Sequence, residues 1–192
     1  MTPKQWKLLS KKDASPSKWF PIEVRTYELP DGRIVDDFSV TTLADVAMVV
    51  PVTKEGLIVL VRQFKPGFGD VILEFPAGRI EDTHQNIEAT ALHELEEETG
   101  IHAQSVEYFA TVAGFVTKAT EKIFCFLAEN VEFNSTQKLD ENEEIEVVVV
   151  SFAEMEELIV SNKIQAAATI AAWELAKKQY LPKYPKWQKA SR

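Results

Sequence analysis

Cysteine is nearly missing from this chain: Cys125 is the single one in 192 residues. No intrachain disulfide is available, and its place in the apolar run from Ile123 to Leu127 reads as a buried core thiol, not an accessible nucleophile. Long apolar runs are missing too, since no stretch approaches the roughly 18 apolar residues a helical membrane span needs. Met1 to Lys12 carries no apolar signal core. These absences lead us to expect a cytoplasmic protein with no membrane partner. Positive charge is also scarce. The 21 Lys and Arg face 30 Asp and Glu, a formal net charge of −9, so a broad basic surface for nucleic acid is not expected. With only 7 Gly and 9 Pro, the balance is not that of a disordered chain.

What remains is an ordinary globular balance, 45% hydrophobic and 27% charged, on a length suited to one well-buried core. Pro30-Asp31-Gly32 is a turn tripeptide between two strand-like runs, Phe20 to Leu29 and Arg33 to Val40, and predicts a hairpin. Val46 to Val52 and Leu57 to Phe64 form a second pair around Lys54-Glu55-Gly56, rich in Val, Ile and Leu as buried strands are. Val71 to Phe75 is a further short strand that Pro76-Ala77-Gly78 stops. Asn86 then caps a helix that Gly100 terminates. Strands are expected again at Val106 to Val112, Lys122 to Ala128 and Ile145 to Phe152, and helices at Ala153 to Val160 and Ile164 to Tyr180. The order predicts an α/β (α+β) sandwich with helices packed on a mixed sheet. We expect residues 1–44 to form an N-terminal hairpin extension, 45–182 the main domain and 183–192 a basic tail.

Within the capped helix, Ile87, Ala91 and Leu95 recur at a spacing of four with Leu92 beside them, so one stripe faces a core and the opposite stripe is acidic. Glu94, Glu97 and Glu98 stand at i, i+3 and i+4, which projects three carboxylates from one face. Such like charges repel by roughly a few tenths of a kcal/mol per pair on an isolated helix, and the C-terminal half of the dipole adds to the cost. A hard divalent cation with oxygen preference, such as Mg²⁺, would compensate. A solvated acidic surface is the competing reading of the same run.

The stretch from Gly78 to Ile101 resembles the Nudix box, matching at Glu94, Leu95, Glu97, Glu98, Gly100 and Ile101. It departs in its first half: the loop is one residue longer, the early acid position falls on His84 or Gln85, and the Arg position is His93. Gln85 and His93 would then hold a neutral or pH-sensitive contact in place of an ion pair, and Glu81 or Asp82 could replace the loop acid. Leu60 to Lys65, Leu73 to Gly78, Asp140 to Glu144 and Thr169 to Ala172 extend the likeness to the ADP-ribose pyrophosphatase group, although no Pro occurs near Ala113-Gly114-Phe115.

The resemblance implies a Nudix-type α/β/α sandwich around a mixed sheet. It also implies a Mg²⁺-dependent pyrophosphohydrolase, with Mn²⁺ as the alternative ion, acting on a small nucleotide-sugar substrate as a homodimer joined through the N-terminal hairpin. It makes Ala77 (through its carbonyl), Glu94, Glu97 and Glu98 the metal ligands, with Glu97 also counted as catalytic. Glu121, at the end of the loop Val116 to Glu121, is the candidate base or further ligand, against an ordinary exposed loop Glu. Arg62, Lys65 and Arg79 are candidates for binding phosphate or the terminal ribose, against plain surface roles. Trp19 or Phe20 would stack on the base if neither is a core residue. A protein of the same fold that binds a nucleotide sugar without turnover, or a Nudix hydrolase of another nucleoside diphosphate derivative, stays open.

Overall fold

The structure is a computed structural model, and it describes residues 2–80 and 86–180. The chain divides into two compact units, Met1–Asp45 with Ala113–Glu121, and Val46–Val112 with Lys122–Arg192. The first therefore takes in a loop from the middle of the chain besides the N-terminal residues.

In the first unit β1 (Lys7–Asp13), β2 (Ile22–Glu28) and β3 (Ile34–Thr41) form an antiparallel sheet in the order β1-β2-β3. The expected hairpin is β2 and β3. Its turn closes through the Gly32 N–H donating to the Leu29 carbonyl at 2.9 Å, with Gly32 at φ 85°, a conformation that disfavours any residue with a Cβ. Strand β1 adds a third strand to the expected N-terminal hairpin. Every residue of β1 is exposed, so no buried face leaves an alternating signature. Backbone pairing to β2 holds it, with Lys7–Glu28 and Lys11–Glu23 ion pairs at 3.2 and 2.7 Å across the strands.

The second unit is built on β4 (Val46–Thr53), β5 (Ile58–Lys65), β6 (Asp70–Glu74), β7 (Ala77–Arg79), β8 (Glu107–Val112), β9 (Ile123–Val131) and β10 (Ile145–Val150), with α1 (Ile87–Thr99), α2 (Phe152–Val160) and α3 (Ala167–Tyr180). The sheet runs β10-β5-β4-β9-β8, with β6 on β5 and β7 on β4. Its β4–β9 pair is parallel and the other pairs are antiparallel. The side-chain period of two splits the core cleanly. Ala47, Val49, Val59, Phe126 and Ala128 pack with Ala91 and Leu95 of α1 on one face. Val50, Val52, Ile58, Leu60, Cys125 and Leu127 pack with Phe152 and Met155 of α2 and Trp173 and Ala176 of α3 on the other. This is the α/β/α sandwich around a mixed sheet. Cys125 is buried as expected, and desolvation pushes its thiol up to about 11.

Two details position the site. Strands β4 and β5 pair only at Val52↔Ile58; beyond that they part, β6 pairing Val61 to Lys65 of β5 and β7 pairing Val46 to Met48 of β4. Pro51 fits inside β4 because its missing N–H would point into this gap. The flanking donors on that edge, Val49 and Thr53, reach the Pro76 and Leu57 carbonyls at 2.9 Å each. The short β7 corrects the expectation that Pro76-Ala77-Gly78 simply stops a strand. Phe152 belongs to α2, not to the last strand, because Ser151 caps that helix with a reciprocal Glu154 contact.

Candidate active site

Helix α1 begins and ends where the sequence places its caps. The Asn86 side-chain oxygen accepts from the Ala89 N–H at 2.7 Å, and Gly100, at φ 72°, donates to the Glu96 carbonyl at 2.8 Å. Ala91 and Leu95 are fully buried. The opposite stripe is not wholly exposed, because Glu98, one turn from Glu94 and three residues past Leu95, is only 5% exposed. Its Oε2 accepts from the Ala77 N–H at 3.0 Å. Burial pushes the Glu98 carboxyl up to about 8; the Ala77 N–H and Lys65 oppose that shift, and the charges of Glu94 and Glu74 add to it.

Gly78 leaves room for the Glu94 carboxyl. A Cβ at residue 78 would collide with the Glu94 carboxyl group, so the bare backbone of β7 is the surface on which that carboxyl lies. Glu97 Oε2 stands 2.9 Å from His93 Nδ1 on the preceding turn. Glu96 points elsewhere: Lys138, His102 and Ser135 hold it at 2.8, 2.8 and 2.9 Å, and those contacts bring its carboxyl down to about 2. The run Glu94-Leu-Glu-Glu-Glu thus separates into three acids at the cleft and one structural tether.

Glu94, Glu97 and Glu98 line one cleft of about 660 Å³ together with Ala77, Gly78, Arg79 and His93. Gln63 and Lys65 of β5 complete one wall, and Asp140 and Glu143 another. The loop carrying Asp140 and Glu143 is fastened to the end of α1: Gln137 Nε2 donates to the Glu98 carbonyl at 2.7 Å, and the Lys138 N–H to the Glu97 carbonyl at 3.0 Å. These bonds satisfy carbonyls that a helix C-terminus leaves open.

Five carboxylates therefore share a cleft with Lys65 and Arg79, and Lys65 Nζ already lies 2.6 Å from Glu74. The excess of anionic oxygen fits a hard divalent cation. Among the described residues no three His, Cys, Asp or Glu side chains enclose an ion by themselves. An open site of one or two carboxylates, completed by water and substrate phosphate, needs no such cage.

The remaining expected residues fall in several places. Arg62 is on the other face of β5 from Lys65; it pairs with Glu146 at 2.7 Å and lines a neighbouring groove with Phe64 and Val71. Glu121 belongs to the first unit, at the end of its 113–121 loop and beside Gly114. Trp19 is 67% exposed, with Lys18 Nζ 4.6 Å from its ring centre, and Phe20 is exposed too, which corrects a core role for either. Glu81, Asp82, His84, Gln85 and the 183–192 tail lie outside the described residues. His93 meets Glu97 on its own helix. Gln63, Asp140 and Glu143 lie in stretches that carry the family likeness, but the sequence did not single them out as site residues. An acid in a loop reads like any solvated loop, and the bonds from Gln137 and Lys138 to α1 are among those that bring the last two to the cleft.

A family model described as a NUDIX domain matches residues 42–173. The chain is 35% identical over 170 residues to the ADP-ribose pyrophosphatase of Bacillus subtilis (strain 168), covering 86% of this chain and 89% of that protein. It is 43% identical over 103 residues to the ADP-sugar pyrophosphatase of Mus musculus, 48% of this chain and 47% of that one. A crystal structure of an ADP compounds hydrolase superposes with a TM-score of 0.82 at 20% identity, over 95% of this chain and 98% of that chain, and so shares the fold.

Proposed function

This chain belongs to the NUDIX family, and from that premise we propose that it hydrolyses the diphosphate bond of ADP-ribose or a related nucleoside diphosphate sugar. The products are a nucleoside monophosphate and a sugar phosphate. The observation that carries this reading is the shared cleft of Glu94, Glu97 and Glu98 with Lys65 and Arg79, on a volume that fits a diphosphate and its ions. Relatives named for ADP-ribose and ADP-sugar pyrophosphatase activity support the substrate class.

Glu94, Glu97, Glu98 and the Ala77 carbonyl would hold Mg²⁺, with Mn²⁺ able to replace it. When bound, the ion neutralises the diphosphate and lowers the pKa of a water. Gly78 keeps the Glu94 carboxyl against β7, and the Ala77 N–H orients Glu98. Lys65 and Arg79 receive phosphate oxygens; Arg62 would contribute only if its bond to Glu146 opens. Water adds in line to one phosphorus, the bridging P–O bond breaks, and a carboxylate takes the water's proton. Glu121 is that base in our reading. A second assignment, Glu143, is favoured by its place in the cleft wall.

Comparing turnover of Glu121→Gln and Glu143→Gln separates the two, since the base is the one whose loss lowers kcat and alters the pH profile. ADP-ribose turnover with Mg²⁺, with Mn²⁺ and with chelator tests the activity and the ion together. Binding without phosphate product at saturating Mg²⁺ would overturn hydrolysis in favour of a nucleotide-sugar binder. We further propose a homodimer through the first unit, supported by exposed Trp6, Leu8, Leu9 and Ile34 on its strands and N-terminus. Light scattering after size exclusion measures it. A cytoplasmic location fits the single buried thiol, and no helix among the described residues is long and apolar enough to cross a membrane.

A further inference from the structure

Gln63 is a cleft residue to which the reaction above gives no task. It lies on β5, in register with Ile145 of β10 on one side and Ile72 of β6 on the other. Two residues before Lys65, it shares that residue's face of the strand. This is the face on which Val59 packs toward α1, and Gln63 and Lys65 both line the cleft with Glu98. The Gln63 amide oxygen is buried and has no hydrogen-bond partner among the described residues. A buried amide acceptor without a donor is unfavourable, so the fold leaves this position to be satisfied by something the ligand brings.

The neighbours narrow what that donor is. Phosphate oxygens and ionised carboxylates only accept, so a diphosphate cannot serve, and neither can the acids of α1 when their charges hold a cation. Lys65, Arg79 and His93 bring donors to the same cleft, but none of them bonds the Gln63 oxygen, and the reading above directs Lys65 and Arg79 to the diphosphate. A nucleoside diphosphate sugar brings donors of its own: the hydroxyls of the two sugars flanking the diphosphate, and, a full sugar farther away, the amine of the base. We propose that Gln63 is a specificity-determining residue whose Oε1 accepts a hydrogen bond from a sugar hydroxyl adjoining the substrate diphosphate. This rests on the reading of the cleft as a nucleoside diphosphate sugar site. It makes the cleft selective for a hydroxylated sugar over an alkyl group, because a site built to bond a hydroxyl rejects the analogue that lacks it.

The test compares the unaltered protein with Gln63→Leu on three compounds: ADP-ribose, its 2′,3′-dideoxyadenosine form, and an ADP alkyl ester without the second sugar. For ADP-ribose the variant should raise KM roughly ten- to a hundredfold, with a smaller change in kcat and an unchanged Mg²⁺ requirement. On the analogue lacking the bonded hydroxyl, variant and unaltered protein should have the same KM, and which analogue that is identifies the sugar. An equal penalty on all three compounds, no penalty on any, or a shifted Mg²⁺ requirement would overturn the assignment. Should Gln63→Leu melt early, Gln63→Asn, one methylene shorter, carries the same comparison. Dissociation constants from calorimetry on the same compounds keep the two readings apart. Binding without turnover sinks the hydrolase reading and leaves the Gln63 comparison intact, whereas a protein that binds none of the three overturns both.

Discussion

The two sheets of this molecule are held by different forces. In the second unit, β4 has Ala47, Val49, Val50 and Val52 at 0% exposure, covered by α1 on one face and by α2 and α3 on the other. In the first unit, β1 is exposed along its whole length, Leu8 to 47%. Its ties are backbone pairing, surface ion pairs, and the edge-to-face contacts that join Trp6, Tyr27 and Phe38 at 5.9 to 6.0 Å between ring centres. Buried apolar area stabilises by roughly 25 cal/mol per Å², while exposed ion pairs contribute about 0 to 1 kcal/mol each. The lesson is that the covered sheet supplies the stability, and that it can therefore carry the cost of a buried acid such as Glu98.

That contrast can be tested from its strongest consequence downward. Glu98→Gln should lower turnover by more than the roughly 100-fold that losing an outer-shell metal partner costs. The melting temperature should hold, because Gln keeps the shape and needs no charge in the cleft wall; steady-state kinetics and calorimetry read the two effects. A large drop in stability would mean that Glu98 serves the fold and not the site. Next, Leu95→Ala should destabilise by about 2 to 5 kcal/mol in urea titration, as a fully buried Leu does.

Gly78→Ala should cost activity by about tenfold to a hundredfold, as small misplacements of a reacting group do, by displacing the Glu94 carboxyl. Stability should change little, since the displaced atoms are the end of a flexible side chain. Ser151→Ala should cost about 1 kcal/mol through loss of the α2 cap. The Ser151 N–H and hydroxyl hold the Glu154 carboxyl below its ordinary value of 4.5. Their stabilising effect is present above that value and lost as pH falls through the lowered one. Ser151→Ala removes the hydroxyl but keeps the N–H, the larger of the two causes, so the acid limb of a melting-temperature profile should become shallower only in part. Finally, Leu8→Ala on β1 should shift global stability by no more than about 0.5 kcal/mol. A cost comparable to that of Leu95→Ala would break the contrast, and a cost that appears only at high protein concentration would point to the homodimer.

The sequence by itself determined what is local. The caps at Asn86 and Gly100, the apolar stripe through Ala91 and Leu95, the hairpin at Pro30-Asp31-Gly32 and the i, i+3, i+4 spacing of Glu94, Glu97 and Glu98 follow from backbone geometry and side-chain period, which need only near neighbours in the chain. Tertiary structure alone decided the rest. It paired β4 in parallel with β9, parted β4 from β5 around Pro51, and buried Glu98 against the Ala77 N–H. It also drew Asp140 and Glu143 to the cleft through Gln137 and Lys138, and left Gln63 with an unmatched acceptor. Each of those outcomes depends on contacts between residues far apart in the chain, and the free energy that selects them is a property of the packed whole that no local pattern carries.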